Sequence, residues 1–480
     1  MQNAPTQNLQ PNLEEDDFRF KQETARRARL DFVFFFNTVF SISLEIIEGE
    51  FVRGDWLDEF GFRLQNKNKT CTLAARKHGK TTLIAGFVCW LIFRSDIEEK
   101  LISEYLYIMY SDELACEKIK RIKQYIQCNE YFKHIKDLKS TAEGIIEYLN
   151  NRHIVSVKPA GVGSFKRGKH PDGVICDDIL RDPTKSLDLS QIEKVTQIFE
   201  AEITSLPREG GFLHLVGTSQ DQTDIMFKLQ ALEGWDWSLN AAIKDRNKKL
   251  VLWPDKFPFE RLLDIELNET GKKNFQREYQ LIPMRATEGF FSRGEIEARI
   301  DKQLENHTIY KPTKETFDAC YAGADLGKKR HPSHLAILEA LPDNDIIYLI
   351  QRASIWFDGT DYTDQLAAFA AAIKKFGIVS FYWDNTRAEF DGFHERGELP
   401  EEMTPFCFTA GGKEKIASEF DKQVGNKRII LLNDERQTRS ILSVDGSLKA
   451  PDTAEGHGDA FWSVSLAVQA FIDNNIPSFV

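Results

Sequence analysis

No apolar run in this chain is long enough to cross a bilayer. The longest, Leu83 to Phe93, is about half of the ~20 residues that a spanning helix needs. Residues 1 to 30 are polar and charged and lack the apolar core of a secretory leader. Cysteine is scarce and unpatterned. The seven stand at 71, 89, 116, 128, 176, 320 and 407 with no Cys-x-x-Cys pair. That excludes a disulfide frame and a zinc ribbon, and leaves buried free thiols in a reducing cytoplasm. Internal repeats and low-complexity tracts are missing too, which excludes solenoids and biased tails. So is an excess of positive charge: 62 Lys and Arg stand against 74 Asp and Glu, a net charge of −12. A broadly basic surface is ruled out, but a DNA partner is not. An enzyme that holds Mg²⁺ on carboxylates and grips DNA on a local basic face can be acidic overall.

What remains is a globular composition, 42% hydrophobic and 28% charged over 480 residues, enough for two to three cores. An arginine-bearing helix is expected through Thr24 to Phe40. Short apolar runs then alternate with helical stretches: Thr70–Ala75, Tyr105–Tyr110, His153–Val157, Gly173–Asp177, Phe212–Gly217 and Trp237–Ile243. That alternation predicts a parallel sheet flanked by helices. Residues 245 to 295 read as a helical connector. A second strand set follows at Ala319–Asp325, Ser333–Leu341, Ile346–Ala353 and Ile378–Asp384. Helices are expected at about Tyr362–Phe376, Lys413–Val424 and Asp459–Ile472.

Arg76-Lys77-His78-Gly79-Lys80-Thr81-Thr82 lies between an apolar strand and a helical run. A P-loop holds phosphates on backbone N–H groups and a helix N-terminus, with a lysine on the β- and γ-phosphates and a hydroxyl on Mg²⁺. Lys80 and Thr81 fit the last two roles. Ala74 stands where the usual pattern begins with glycine, and Gly-Lys-Thr alone also occurs in surface turns. The support is Gly173-Val174-Ile175-Cys176-Asp177-Asp178, an apolar strand ending in two acids. Asp177 is the candidate for holding Mg²⁺ and Asp178 for polarising the attacking water. The plain alternative is an Asp-rich turn. Thr218, in Val216-Gly217-Thr218-Ser219, is placed to sense the γ-phosphate. Arg76 is a candidate for stabilising transition-state charge, against a solvated loop cation.

The second half places Asp325 and Asp384 at strand ends, while Asp459 opens a helix after Glu455-Gly456-His457-Gly458. Clustered acids repel one another unless divalent cations neutralise them, and two such ions would activate water for phosphodiester cleavage. Strand-Asp, strand-Asp, helix-Asp is the pattern of an RNase H-like nuclease. His457 reads first as a solvated loop histidine. Lys328, Lys329 and Arg330, like Lys413 and Lys415 after Gly411-Gly412, read equally or better as solvated cations than as phosphate contacts.

Taken in order, these motifs resemble the large subunit of tailed-phage terminases over roughly residues 70 to 472. Arg167-Gly168, Gly217-Thr218 and the segment Phe275-Gln276-Arg277-Glu278-Tyr279-Gln280 with Pro283 and Phe290–Phe291 add to the resemblance. It implies an α/β chain with an N-terminal P-loop (ASCE/RecA-like) ATPase domain and a C-terminal RNase H-like nuclease domain. The expected division is 1–250, a connector 251–295, and 296–480. The resemblance further implies ATP and Mg²⁺, with Mn²⁺ as an alternative at the nuclease site. It implies double-stranded DNA, a portal protein on a procapsid, a small terminase subunit and a homo-oligomeric ring as partners, with no membrane. The setting would be the cytoplasm of an infected bacterial host, outside the mature virion. Asp178 stands where the family often has Glu. Gly458-Asp459 stands where a double aspartate is frequent, so Asp452 or Glu455 is the candidate for an extra ligand. Trp56 and Gln65 are the candidates for reading adenine. Two rival readings are a DNA helicase or remodelling ATPase without nuclease activity, and a transposase or integrase with an accessory ATPase. No second RecA-like half follows residue 250, which counts against the helicase.

Overall fold

The computed structural model describes residues 13–475 except 142–143, 167, 169, 181–188, 219, 222–223, 283–287, 312–315, 328–331, 345, 387, 389 and 452–457. Among the described residues no helix is long and apolar enough to cross a membrane.

The chain opens with helices α1 (Leu13–Leu30), α2 (Phe32–Phe35), α3 (Ser41–Glu48) and α4 (Asp55–Asn66). The single helix expected over Thr24–Phe40 is broken. Asp31 is extended and its carboxylate accepts from Phe34 N, which caps a new start, and Phe36–Phe40 form a π-turn. Aspartate favours this local bond over the interior of a helix. Strand β1 (Lys69–Ala74) leads into α5 (Lys80–Phe93), β2 (Ile102–Met109) and α6 (Asp112–Gln127). Then come β3 (Lys136–Ser140), β4 (Ile146–Asn150), β5 (His153–Gly161), β6 (Gly173–Asp177), α7 (Leu189–Ala201), β7 (Phe212–Gly217), α8 (Ile225–Lys228) and β8 (Asp236–Asn240). The eight strands form one sheet in the order β3-β4-β5-β2-β6-β7-β1-β8. Every pairing from β5 to β8 is parallel. Strands buried on both faces need continuous apolar sequence, and β6 is buried throughout. Helix α5, buried from Leu83 to Phe93, lies against this sheet under a layer of aromatic rings. Phe32 meets Phe87 at 5.2 Å and Phe35 meets Phe93 at 5.2 Å.

The connector is partly strand. A short antiparallel pair, β9 (Ile243–Asp245) and β10 (Leu250–Val251), precedes α9 (Phe259–Asp264), a π-turn at Ile265–Thr270, and α10 (Lys272–Glu278). Trp253, Phe257, Leu262, Phe275 and Tyr279 are buried in the first core, whereas Phe290 and Phe291 belong to the second.

The second unit contains α11 (Arg293–Glu297), β11 (Ile300–Asp301), β12 (Cys320–Asp325), β13 (Ser333–Asp343), β14 (Ile346–Phe357), α12 (Tyr362–Phe376) and β15 (Ile378–Asp384). It continues through α13 (Asp391–Glu395), β16 (Met403–Phe406), α14 (Ala410–Gly425), β17 (Ile429–Leu432), α15 (Glu435–Leu442) and α16 (Asp459–Asn475). The sheet order is β11-β17-β14-β13-β12-β15-β16, with β13 antiparallel to both of its neighbours. This is the mixed α/β arrangement expected of an RNase H-like sheet. Helix α16 runs back along β12: Phe471 packs on Tyr321, and Ser463 and Ala467 lie over Gly323. A Cβ at Gly323 would stand 2.0 Å from Ser463 O, so only glycine lets the helix rest there.

Gly323→Val is therefore expected to destabilise the second unit by at least ~3 kcal/mol, because the clash is with backbone and cannot be relieved by a rotamer change. Calorimetric unfolding of the full chain checks this; an unmoved transition would contradict the packing.

Candidate active site

Strand β1 ends at Ala74, and Ala75 N donates to Asn240 O at the end of β8. The loop then turns through Lys77 and Gly79, whose φ values are +61° and +79°, into the first turn of α5. The leading N–H groups of a helix have no partner inside it and carry its positive dipole end, which is the chemistry of an anion site.

Three contacts join this turn to the ends of β6 and β7. Lys80, only 8% exposed, donates from Nζ to Thr218 Oγ1 at 2.8 Å and stands 3.7 Å from Asp178 Oδ2. Thr218 N donates to Asp178 Oδ1 at 3.1 Å. Thr81 Oγ1 donates to Asp177 Oδ1 at 3.3 Å. The strand order makes these contacts available, because β7 lies between β1 and β6 and brings Thr218 to the P-loop side of the acids. Asp177 is fully buried, and Tyr107 OH donates to its other oxygen at 2.7 Å. Burial, then the charge of Asp178, pushes the Asp177 carboxyl up to about 7, against Tyr107, Lys80 and Thr81. Asp178 sits at φ +48°, a left-handed conformation that Asp tolerates better than most side chains.

Arg76, Lys80, Thr81, Asp178 and Thr218 line a cavity of about 690 Å³, within the range of small-ligand sites. The donor set fits a magnesium–nucleotide: an ammonium and a helix N-terminus for phosphate, and a hydroxyl beside a buried carboxylate for the ion.

Other expected residues lie elsewhere. Lys77 is exposed and Thr82 is half-buried, and neither lines the cavity. The His78 side chain is turned away from it. Its ring stacks on Phe257 at 4.5 Å and Nδ1 bonds Arg76 O at 2.9 Å, so it supports the loop from inside and does not reach phosphate. Trp56 is buried against Phe60, and Gln65 accepts from Phe32 N and donates to Leu30 O, so both are engaged in the packing of the first helices. Tyr107 was invisible in the sequence, where an aromatic in a buried strand reads simply as core. Lys118, which also lines the cavity, carried no motif, whereas Arg277, which lines it too, stood in the connector segment that added to the resemblance.

In the second unit, Asp325 and Asp384 end adjacent parallel strands whose preceding residues, Ala324 and Trp383, are register partners. The antiparallel course of α16 brings Asp459 to the same end. Asp325 pairs across the ladder with His334. That buried ring bonds Ser463 Oγ on α16 and Ser354 Oγ on β14, and Ser354 in turn donates to Asp434. The three acids share one edge of the sheet, but they do not close. Among the described residues no group of three His, Cys, Asp or Glu side chains is placed to hold a metal ion. Asp384 Oδ1 accepts from Thr386 N at 2.9 Å, in a local turn. Arg167, Ser219, Pro283, Lys328, Lys329, Arg330, Asp452, Glu455 and His457 lie outside the described residues. Lys413 stands 4.7 Å from the Trp462 ring.

No family model and no curated protein matches the chain. Solved structures that it resembles include phage large terminases. The large terminase of a thermophilic bacteriophage in complex with ADP is 12% identical over 86% of this chain and 95% of its own, with a TM-score of 0.47. The HK97 bacteriophage large terminase is 16% identical over 88% of this chain and 95% of its own, with a TM-score of 0.35. The large terminase nuclease of thermophilic phage G20c with bound magnesium is 19% identical over 38% of this chain and 98% of its own, with a TM-score of 0.30. These identities are too low to carry residue roles across.

Burial, helped by the charges of Lys80 and Lys256, pushes His78 down to about 4. The unfolded chain therefore takes up a proton near pH 6.5 that the folded chain refuses until about pH 4, and stability falls as pH falls through that window. His78→Phe, which keeps a ring on Phe257, is expected to remove on the order of 3 kcal/mol of that loss. Unfolding measured between pH 4.5 and 8 reads the slope; an unchanged slope in the variant would contradict the assignment.

Proposed function

We propose that this chain is an ATP-driven DNA-packaging motor with a nuclease attached, the large subunit of a phage terminase. One observation carries the ATPase reading: the Lys80 ammonium is held by Thr218 and Asp178 at the N-terminus of α5, beside the Thr81–Asp177 pair. In the mechanism that follows, Lys80 and the first-turn N–H groups bind the β- and γ-phosphates. Mg²⁺ held by Thr81 and Asp177 supplies neutralisation of the phosphate charge. Asp178 takes the proton of the attacking water, and Arg76 stabilises charge on the transferred group. Thr218 positions both Lys80 and Asp178. A change at the γ-phosphate is thereby felt at the end of β7.

The nuclease reading is supported by the sheet order and by Asp325, Asp384 and Asp459 at one edge. Double-stranded DNA is the proposed substrate of both activities, with Mg²⁺ or Mn²⁺ at the second. A portal on a procapsid, a small terminase subunit and a homo-oligomeric ring are the proposed partners, in the cytoplasm of an infected bacterium. ATP hydrolysis stimulated by purified procapsids separates a packaging motor from a helicase or remodelling ATPase.

Lys80→Ala is expected to abolish ATP hydrolysis. Asp178→Asn is expected to bind Mg-nucleotide and fail to turn it over, whereas Asp177→Asn weakens binding itself. Affinity and turnover measured on each variant check this; identical defects in the two aspartate variants would count against the division of roles. For the nuclease, plasmid nicking with Mg²⁺ or Mn²⁺ is expected to drop at least ~100-fold in full-length Asp325→Asn while ATP hydrolysis persists. Equal nicking by variant and wild type would remove Asp325 from the site.

A further inference from the structure

The cavity in front of the P-loop has a second wall, and that wall belongs to the other unit. Gly411, Glu414, Lys415, Ser418 and Glu419 of α14 line it together with Lys80 and Thr81. The spacing of these five positions places them on one helical face. The opposite face, with Ile416, Ala417, Phe420 and Val424, is buried in the second core. The helix is thus amphipathic across the boundary, its apolar side spent on its own domain and its polar side turned to the nucleotide cavity.

Specific bonds hold it there. Ser418 Oγ donates to Thr270 O at 2.6 Å, and Asn426 Nδ2 donates to Leu267 O at 2.9 Å. Asp421, buried, accepts from Lys273 N at 2.9 Å at the start of α10. The other end of α10 reaches the P-loop, where Arg76 N donates to Glu278 O at 2.8 Å. The phosphate loop, α10 and α14 therefore form one bonded chain around the cavity.

We propose that α14 is part of the nucleotide site, with Lys415 as a phosphate contact supplied by the second unit. The proposal rests on the nucleotide reading of the P-loop cavity and deepens it. Of the five cavity-facing residues, Lys415 is the one cation. Its ammonium stands 3.9 Å from Asp473 and is more than half exposed, and so long and open a pair holds a lysine weakly. A polyphosphate, with several negative charges, outcompetes one distant carboxylate. Nucleotide binding then draws α14 toward the P-loop, so the occupant of the first unit's site is read directly by a helix of the second.

The test uses the full chain, a fluorescent ATPγS with Mg²⁺, and hydrogen exchange over residues 411–419. Lys415→Glu is expected to weaken binding about tenfold, the scale of one charge-assisted contact, and Lys415→Arg to keep it within about twofold. Wild-type α14 amides should exchange more slowly with nucleotide present, and should not do so in Lys80→Ala. If wild type binds and Lys80→Ala does not, while Lys415→Glu binds like wild type and α14 exchange is unmoved, the wall is disproved and the P-loop reading stands. If wild type binds no nucleotide, the P-loop reading fails and the wall falls with it.

Discussion

Lys80 is a buried cation, and the strand ends of the first unit hold and aim its ammonium. An ammonium that is 8% exposed needs compensating partners, because desolvation disfavours the charged form. Thr218 and Asp178 supply them from the ends of two neighbouring strands. Those ends lie within reach because β7 separates β1 from β6. A different strand order would leave the same motif residues facing empty solvent. The same geometry forces the Asp177 carboxylate into the interior beside a second acid, and burial and that neighbouring charge push its carboxyl up. A buried acid of that kind gains from a divalent cation, which favours its charged form.

The connector transmits this arrangement to the second unit. Its aromatic residues are core residues of the first, and they hold the loop from behind: His78 stacks on Phe257, and Trp253 lies 3.3 Å from where a Gly79 Cβ would be. Its last helix meets the loop backbone at one end and α14 at the other. The two units therefore meet at the cavity itself.

Much of this was legible in the sequence. Gly173–Asp177, Phe212–Gly217 and Ile378–Asp384 are strands with the bounds that their apolar runs indicated, since a strand covered on both faces has little freedom in composition. Strand β3 was not visible, because its five residues are all exposed and Leu138 is the one apolar side chain among them, too little for a strand pattern. The break at Asp31 was missed because capping depends on one local bond, which a helical periodicity does not register. At the site, Lys80, Thr81, Asp177, Asp178 and Thr218 come together as their motifs implied, whereas His78, Trp56 and Gln65 serve the packing. Tyr107 carries no motif, and Lys415 on the polar face of α14 read as a solvated cation; the placement of both follows from tertiary structure. The acids of the second unit show the limit most plainly. Strand ends and helix direction bring Asp325, Asp384 and Asp459 to one end of the sheet, but the bond from Thr386 N to Asp384 Oδ1 is a local matter that spacing does not encode.

The central claim is that phosphate binds where Lys80, Thr218 and the two acids meet. A structure of the full chain with Mg²⁺ and ATPγS tests it most directly. The account requires the γ-thiophosphate against Lys80 Nζ and the N-terminus of α5, with an ion between Thr81 and Asp177 in place of their present hydrogen bond. A nucleotide bound elsewhere on the chain, with the Thr81–Asp177 and Lys80–Thr218 bonds intact, would contradict it.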